Sequence, residues 1–137
     1  MPVFGKTSQL RLNTCDPRIV AVLEIAIVRS VVDFGVAYGH RTTEAQKIAF
    51  AEKKSKIDGV TVISKHQYLP SKAVDVYGWV NGKECYSTSV LCYLAGLFNA
   101  ISVELGYSLR WGGNWDGDGE IITDQKFNDF GHFEVVD

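Results

Sequence analysis

Apolar and polar positions change period several times along the chain, and each change marks an element. Ile19, Val22, Leu23, Ile27 and Val31 recur at helical spacing. Asp16-Pro17 stands before them, an acceptor for free N–H groups followed by a residue that fits a first helical turn. Together they predict a helix from Pro17 to about Val32, with Leu10 to Asn13 as a lead-in segment. Phe34 to Gly39 reads as a short strand ending at His40-Arg41-Thr42-Thr43. Thr43 is expected to cap a second helix, Glu44 to about Lys54, whose later half is charged. Val60 to Ile63 reads as a short extended piece. Lys72 to Val80 alternates, which places Ala73, Asp75 and Tyr77 on one face of a strand and Val74 and Val76 on the other. Asn81-Gly82 is a hairpin turn signal. Ser87 or Thr88 starts a long helix to about Leu105, and Gly106 ends it. A strand over Tyr107 to Trp111, a glycine- and acid-rich loop over Gly112 to Glu120, and a final strand from His132 to Val136 complete the pattern.

This order, without repeats, low-complexity tract or linker, predicts a single α+β domain over residues 1–137, with helices packed on a small, mainly antiparallel sheet. A length of 137 residues allows a core without staples. The net charge of −2 leaves no footprint for nucleic acid or an anionic membrane, so an anionic substrate has to be met by a local cation. The apolar runs Ile19–Val32 and Ser87–Val103 read as core helices, and no stable membrane insertion is expected. The first eight residues do not resemble a signal peptide. Cys15, Cys85 and Cys92 form no CxxC, which fits reduced thiols made in a cytoplasm. A monomer is expected.

Candidate chemistry starts at Asn128-Asp129-Phe130-Gly131-His132-Phe133-Glu134. An acid stands three residues before a histidine on a predicted strand, with a glycine between them that lets the backbone approach closely. Upstream, His66 and Asp75 lie nine positions apart, separated by a turn signal at Pro70-Ser71. Asp75 interrupts an otherwise apolar strand, where an unpaired carboxylate is costly. Two imidazoles and one carboxylate leave an open ligand position, as catalytic zinc requires. The same donor set describes a non-haem iron oxygenase, and separate roles as surface or hydrogen-bonded side chains also fit. Glu134 shares a strand face with His132, so it either orients the imidazole or is merely solvated. A second metal, Ca2+, is suggested at Asn114-Trp115-Asp116-Gly117-Asp118-Gly119-Glu120, which follows the first two-thirds of an EF-hand loop. Its candidate ligands are Asn114, Asp116, Asp118 and Glu120. The ending is imperfect, with Asp124 or Gln125 where a bidentate glutamate belongs, and an acidic surface turn explains the loop as well.

Ser64-Lys65-His66, Ala73-Val74-Asp75 and Asp129-Phe130-Gly131-His132, together with Arg41 in Gly39-His40-Arg41-Thr42, resemble the zinc D-Ala-D-Ala carboxypeptidase / L-alanyl-D-glutamate peptidase family, most closely its small phage endolysins. The resemblance runs from about Phe34 to the C-terminus. It implies a hedgehog/DD-peptidase-like fold, with His66, Asp75 and His132 as Zn2+ ligands and Asp129 as the general base. Arg41 is implied as the oxyanion stabiliser and Ser64 as a substrate contact. The gap between His66 and Asp75 departs from the family's shorter, glycine-containing one, since it holds Leu69-Pro70-Ser71. The implied activity is hydrolysis of an amide in the bacterial peptidoglycan stem peptide, with L-alanyl-D-glutamate ahead of D-Ala-D-Ala. Such an enzyme is expected to be made in a host cytoplasm, to reach the wall through a membrane hole, and to need no separate wall-binding module. A non-catalytic, zinc-stabilised wall-binding module is the remaining alternative.

Overall fold

The computed structural model describes residues 2–137. Its first element is a helix that the sequence pattern does not announce: α1, Lys6–Leu12, starts before the expected lead-in segment and overlaps it. Gly5 offers no side-chain cap, and the helix depends instead on packing, with Ser8 and Leu12 buried. Ser8 Oγ accepts from Val36 N and the Arg11 guanidinium donates to Val36 O, so α1 also covers a sheet edge that would otherwise stay unpaired.

Helix α2, Pro17–Arg29, begins as expected, with the Asp16 side chain accepting from Arg18 N. Ile19, Val22, Leu23, Ala26 and Ile27 are buried, but the helix stops at Ser30 and Val31 is 84% exposed, outside the predicted stripe. Strand β1, Asp33–Tyr38, follows. Helix α3 spans Thr43–Ala51 and is capped one residue earlier than predicted, by Thr42 accepting from Ala45 N. No strand forms over residues 60–63, because the Asp58 carboxylate gathers the N–H groups of Val60, Thr61 and Val62 into a turn.

A single 3₁₀ turn, Lys65–Gln67, leads into β2, Ala73–Val80, and β2 joins β3, Lys83–Cys85, through Asn81-Gly82. Both turn residues have positive φ, 53° and 75°, the backbone that a tight hairpin needs. Helix α4, Thr88–Leu105, is capped by Ser87 and ended by Gly106 at φ 79°. It is long and apolar enough to cross a membrane by length and composition. Leu91, Leu94, Ala95, Phe98 and Ile101 are nevertheless buried in the core. Strands β4, Leu109–Gly112, and β5, Asp129–Val135, complete a sheet in the order β1-β2-β5-β4, with β3 beside β2 and every pair antiparallel.

This single α+β domain packs α2 and α4 on one face of the sheet. Phe98 of α4 meets Phe34 and Phe133 with ring centroids 5.3 and 4.8 Å apart, and Val74, Val76 and Val135 close the same core. The alternation read from the sequence of β2 therefore turns Asp75 and Tyr77 to the opposite face. Three free thiols are present, and burial pushes the Cys15 thiol up to about 12, so it stays protonated and inert.

Candidate active site

The register of two internal strands makes the site. Asp75 of β2 is the direct cross-strand partner of His132 of β5, so their side chains leave the same face side by side. His132 Nδ1 lies 3.1 Å from Asp75 Oδ1. His66 comes from the 3₁₀ turn, with Nε2 3.3 Å from Asp75 Oδ2. The turn is pinned by Ser64, whose Oγ accepts from His66 N at 3.2 Å, and by Gln67, whose side chain returns to Ser64 N at 2.8 Å. The nine-residue gap thus holds a capped turn before the strand, and it brings the His66 and Asp75 side chains to one point.

Each imidazole turns one ring nitrogen toward Asp75. His66 Nδ1 lies 2.8 Å from the Gly39 carbonyl, an acceptor only, so the proton sits on Nδ1 and the Nε2 lone pair faces inward. That Nε2 is buried and has no hydrogen-bond partner, its approach to Asp75 meeting the distance of an ion pair but not the geometry of a hydrogen bond. On His132 the pattern is mirrored: Nε2 lies 2.9 Å from Glu134 Oε1 and Nδ1 faces Asp75. His66 thus keeps an unpartnered Nε2, whereas His132 is held at both nitrogens, and each ring presents one nitrogen to the Asp75 carboxylate. The three ligand atoms lie within 4.8 Å of one another. Burial works against charge on His132, but the Asp75 and Glu134 carboxylates hold its pKa up at about 10. Burial likewise opposes ionisation of Asp75, and the neighbouring imidazoles of His66 and His132 overcome it, leaving the carboxyl well below its ordinary range. The donor set, two imidazoles and one carboxylate, fits a divalent cation.

Asp129 opens β5, three residues before the expected start of that strand at His132. It lines a cavity of about 300 Å³ together with the triad, Arg41 and Ser64. Burial raises its pKa above the ordinary value, and the neighbouring Asp75 charge adds to the rise. A residue that sequence reasoning missed places it. Gly112 pairs with Asp129, and a Cβ at Gly112 would overlap the Asp129 carbonyl, so only glycine lets the two strands close there.

Arg41 is held on three sides. Its guanidinium donates to Gln46 Oε1 at 2.8 Å, lies 3.8 Å from Asp75 Oδ2, and stacks 4.9 Å above the Tyr38 ring. Gln46, fully buried, is the second missed residue. Its amide donates to Ser55 Oγ and the Ile57 carbonyl, tying the loop after α3 to the arginine. A polar residue on the inward side of α3 was the available signal.

Of the four residues proposed for a calcium loop, the structure brings Asp116 and Asp118 together, and Asp124 joins them. The Asn114 amide donates to the Asp118 carbonyl, while its Oδ1 is buried without a partner. Glu120 turns away and accepts from Thr123. Trp115, on the same loop, stacks on Phe127 with centroids 6.2 Å apart and reaches within 5.5 Å of the His132 ring, so it walls the cavity.

A family model described as phage L-alanyl-D-glutamate peptidase matches residues 2–136. The chain is 30% identical over 138 residues to the L-alanyl-D-glutamate peptidase of Escherichia phage T5, covering 97% of each. Among solved structures it is similar to the Serratia marcescens L-Ala D-Glu endopeptidase ChiX, with a TM-score of 0.76 and 24% identity over 98% of this chain and 90% of that one. At that identity the likeness speaks to the fold.

Proposed function

From the premise that the chain belongs to the phage L-alanyl-D-glutamate peptidase family, we propose that it is a zinc-dependent peptidoglycan peptidase that hydrolyses the amide between L-alanine and D-glutamate in the stem peptide. The observation that carries this is the convergence of two inward-facing imidazole nitrogens and one carboxylate beside Asp129 and Arg41 in one cavity. The family and the phage T5 relative also favour this bond over D-Ala-D-Ala. Action as an endolysin, on the wall after release from a host cytoplasm, belongs to the same reading.

His66 Nε2, His132 Nδ1 and the Asp75 carboxylate would hold the zinc. Bound there, the ion would polarise the scissile carbonyl and lower the pKa of a water from about 15.7 to about 7. The protein's own groups do the rest. Asp129 takes the proton of the attacking water, and its raised pKa suits it to carry that proton. Arg41 faces the charge that develops on the carbonyl oxygen. As the C–N bond breaks, Asp129 hands the proton to the leaving amine, giving a carboxylate on alanine and a free amine on glutamate. Ser64 keeps a hydroxyl proton to offer substrate, because its oxygen is the acceptor for His66 N. Glu134 fixes the His132 ring and strengthens it as a ligand.

We extend the reading to Ca2+ at Asp116, Asp118 and Asp124, three carboxylates with one backbone-rich loop behind them.

The deciding experiment digests purified peptidoglycan with and without a chelator and identifies new ends by mass spectrometry. New amino-terminal D-glutamate, lost with the chelator and restored by zinc, is expected. Released D-alanine would transfer the chain to carboxypeptidase chemistry. Cleavage indifferent to chelation would remove the metal mechanism, and oxygen-dependent turnover with iron would replace it.

A further inference from the structure

Beyond the triad, the face of the sheet that carries it continues into a strip of aromatic rings. Asp75, Tyr77 and Trp79 alternate along that face of β2. The Tyr77 ring lies 6.5 Å from Trp79 and 6.2 Å from Tyr86, which follows β3. Tyr38, the cross-strand partner of Asp75, lies under the Arg41 guanidinium, so the strip is continuous with the site. Tyr38, Trp79 and Tyr86 are 52, 44 and 57% exposed, an unusual outlay of large rings in one place. Gly35 makes room for this arrangement. A Cβ there would lie 2.6 Å from Tyr77 Cζ, so the ring covers β1 only because that residue has no side chain. Alongside lies a groove of about 390 Å³ lined by Lys6, Asp33, Gly35, Tyr77 and Trp79, an aromatic wall with polar groups at its rim.

The chemistry of the substrate indicates what covers the strip. In peptidoglycan the amine of L-alanine is joined to the lactyl group of an amino sugar. A site that cuts after that alanine therefore has a pyranose about one extended residue from the scissile bond, or roughly 3.3–3.6 Å plus the lactyl link. Along β2, Tyr77 stands two residues beyond Asp75, about 6.6 Å away at strand rise, and Trp79 about twice as far. Pyranose C–H edges carry slight positive charge and meet the negative faces of aromatic rings. The other end of the substrate has different needs. Lys56 Nζ lies 4.9 Å above Phe127 on the cavity wall, with no acid in ion-pair range among the described residues, and it suits a free carboxylate on the D-glutamate side. The aromatic strip lies outside that cavity and is left for the neutral sugar.

We propose that Tyr77, Tyr86 and Trp79 form a subsite for the amino-sugar strand of peptidoglycan, which makes stem peptides still attached to glycan the preferred substrate. The proposal rests on the L-Ala–D-Glu reading above. Its test uses zinc-supplied, full-length protein and two soluble substrates, a disaccharide tetrapeptide and the same tetrapeptide without sugar. The wild type is expected to favour the linked substrate about tenfold in kcat/KM, through KM. Trp79→Ala and Tyr86→Ala should each lose most of that preference, and Trp79→Phe should retain it. Equal kcat/KM for the two substrates in the wild type, or an equal loss on both in the variants, overturns the subsite. A separate titration of peptide-free glycan fragments, followed by NMR, needs no cleavage. Shifts that weaken in Trp79→Ala support the subsite even if the bond cut proves to be another one, and the absence of shifts in the wild type overturns it while leaving the peptidase reading intact.

Discussion

His66, Asp75 and His132 converge from distant parts of the chain and are mostly shielded from water, whereas Asp116, Asp118 and Asp124 converge within one loop and are exposed. The first group stands on paired strands and a capped turn, and each imidazole has its outer nitrogen engaged, by Gly39 or by Glu134. The second stands on turns, with Gly117 at φ 70° and its carboxylates exposed. Like charges brought together in water repel weakly and are screened, so the loop can exist without an ion. Buried donors whose lone pairs face one another are costly without a cation or a proton between them. The contrast separates a site whose geometry is built by the fold from one whose geometry a bound ion would itself have to complete.

Asp75→Asn should have the largest effect, reducing bound zinc measured by mass spectrometry and peptidoglycan hydrolysis together to background. Full zinc content in that variant would dissolve the contrast between the clusters. Asp129→Asn separates chemistry from binding, with zinc retained while the rate falls about 10²–10⁴-fold. Arg41→Ala should lower kcat by about 10²–10³-fold with zinc content unchanged. Glu134→Gln is expected to weaken zinc affinity about 10–100-fold in a chelator competition, because the His132 ring loses its charged partner. Asp118→Asn should leave zinc and basal hydrolysis intact and weaken only calcium binding in a calorimetric titration. If calcium binds the wild type and the variant alike, the loop is a solvated turn.

The smallest effect lies away from both clusters. The Asp16 carboxylate caps α2 and pairs with Arg18 at 2.9 Å, and that pairing holds its pKa below the ordinary 3.8. Asp16→Asn keeps a cap but loses the charge, at a cost of about 1 kcal/mol or less. A depressed carboxyl stabilises the fold above its unfolded pKa and loses that contribution as pH falls through the folded one. The difference in denaturation midpoint between wild type and Asp16→Asn should therefore be full at neutral pH and close as pH drops below about 3.8.

Much of this was legible along the chain because it depends on neighbours in sequence. Asp16-Pro17, Asn81-Gly82, Ser87 and Gly106 set their boundaries through local hydrogen bonds and allowed φ, and they lie where expected. Alternation in β2 correctly turned Asp75 and Tyr77 away from Val74 and Val76. Helix α1 was not legible, since its burial comes from β1, a strand far along the chain. Gln46 and Gly112 were not legible either. Gln46 stood out only as a polar residue on the inward side of α3, and its partners Arg41 and Ile57 are set by the fold; Gly112 matters through the close passage of β4 against Asp129, which has no local signature.

By itself the sequence determined the donor types, the strands and caps that carry them, and the family to which their order belongs. The tertiary structure alone decided that β5 is an internal strand rather than a tail. Removing Gly131 to Asp137 would therefore take out part of the sheet as well as His132. It also decided which nitrogen of each histidine faces Asp75, and that the aromatic residues of β1, β2 and the segment after β3 form one strip beside the triad. The physical reason is common to all three. Register and side-chain direction come from pairing between distant segments, and a one-residue shift would send Asp75 and His132 to opposite faces with no change in composition or local pattern.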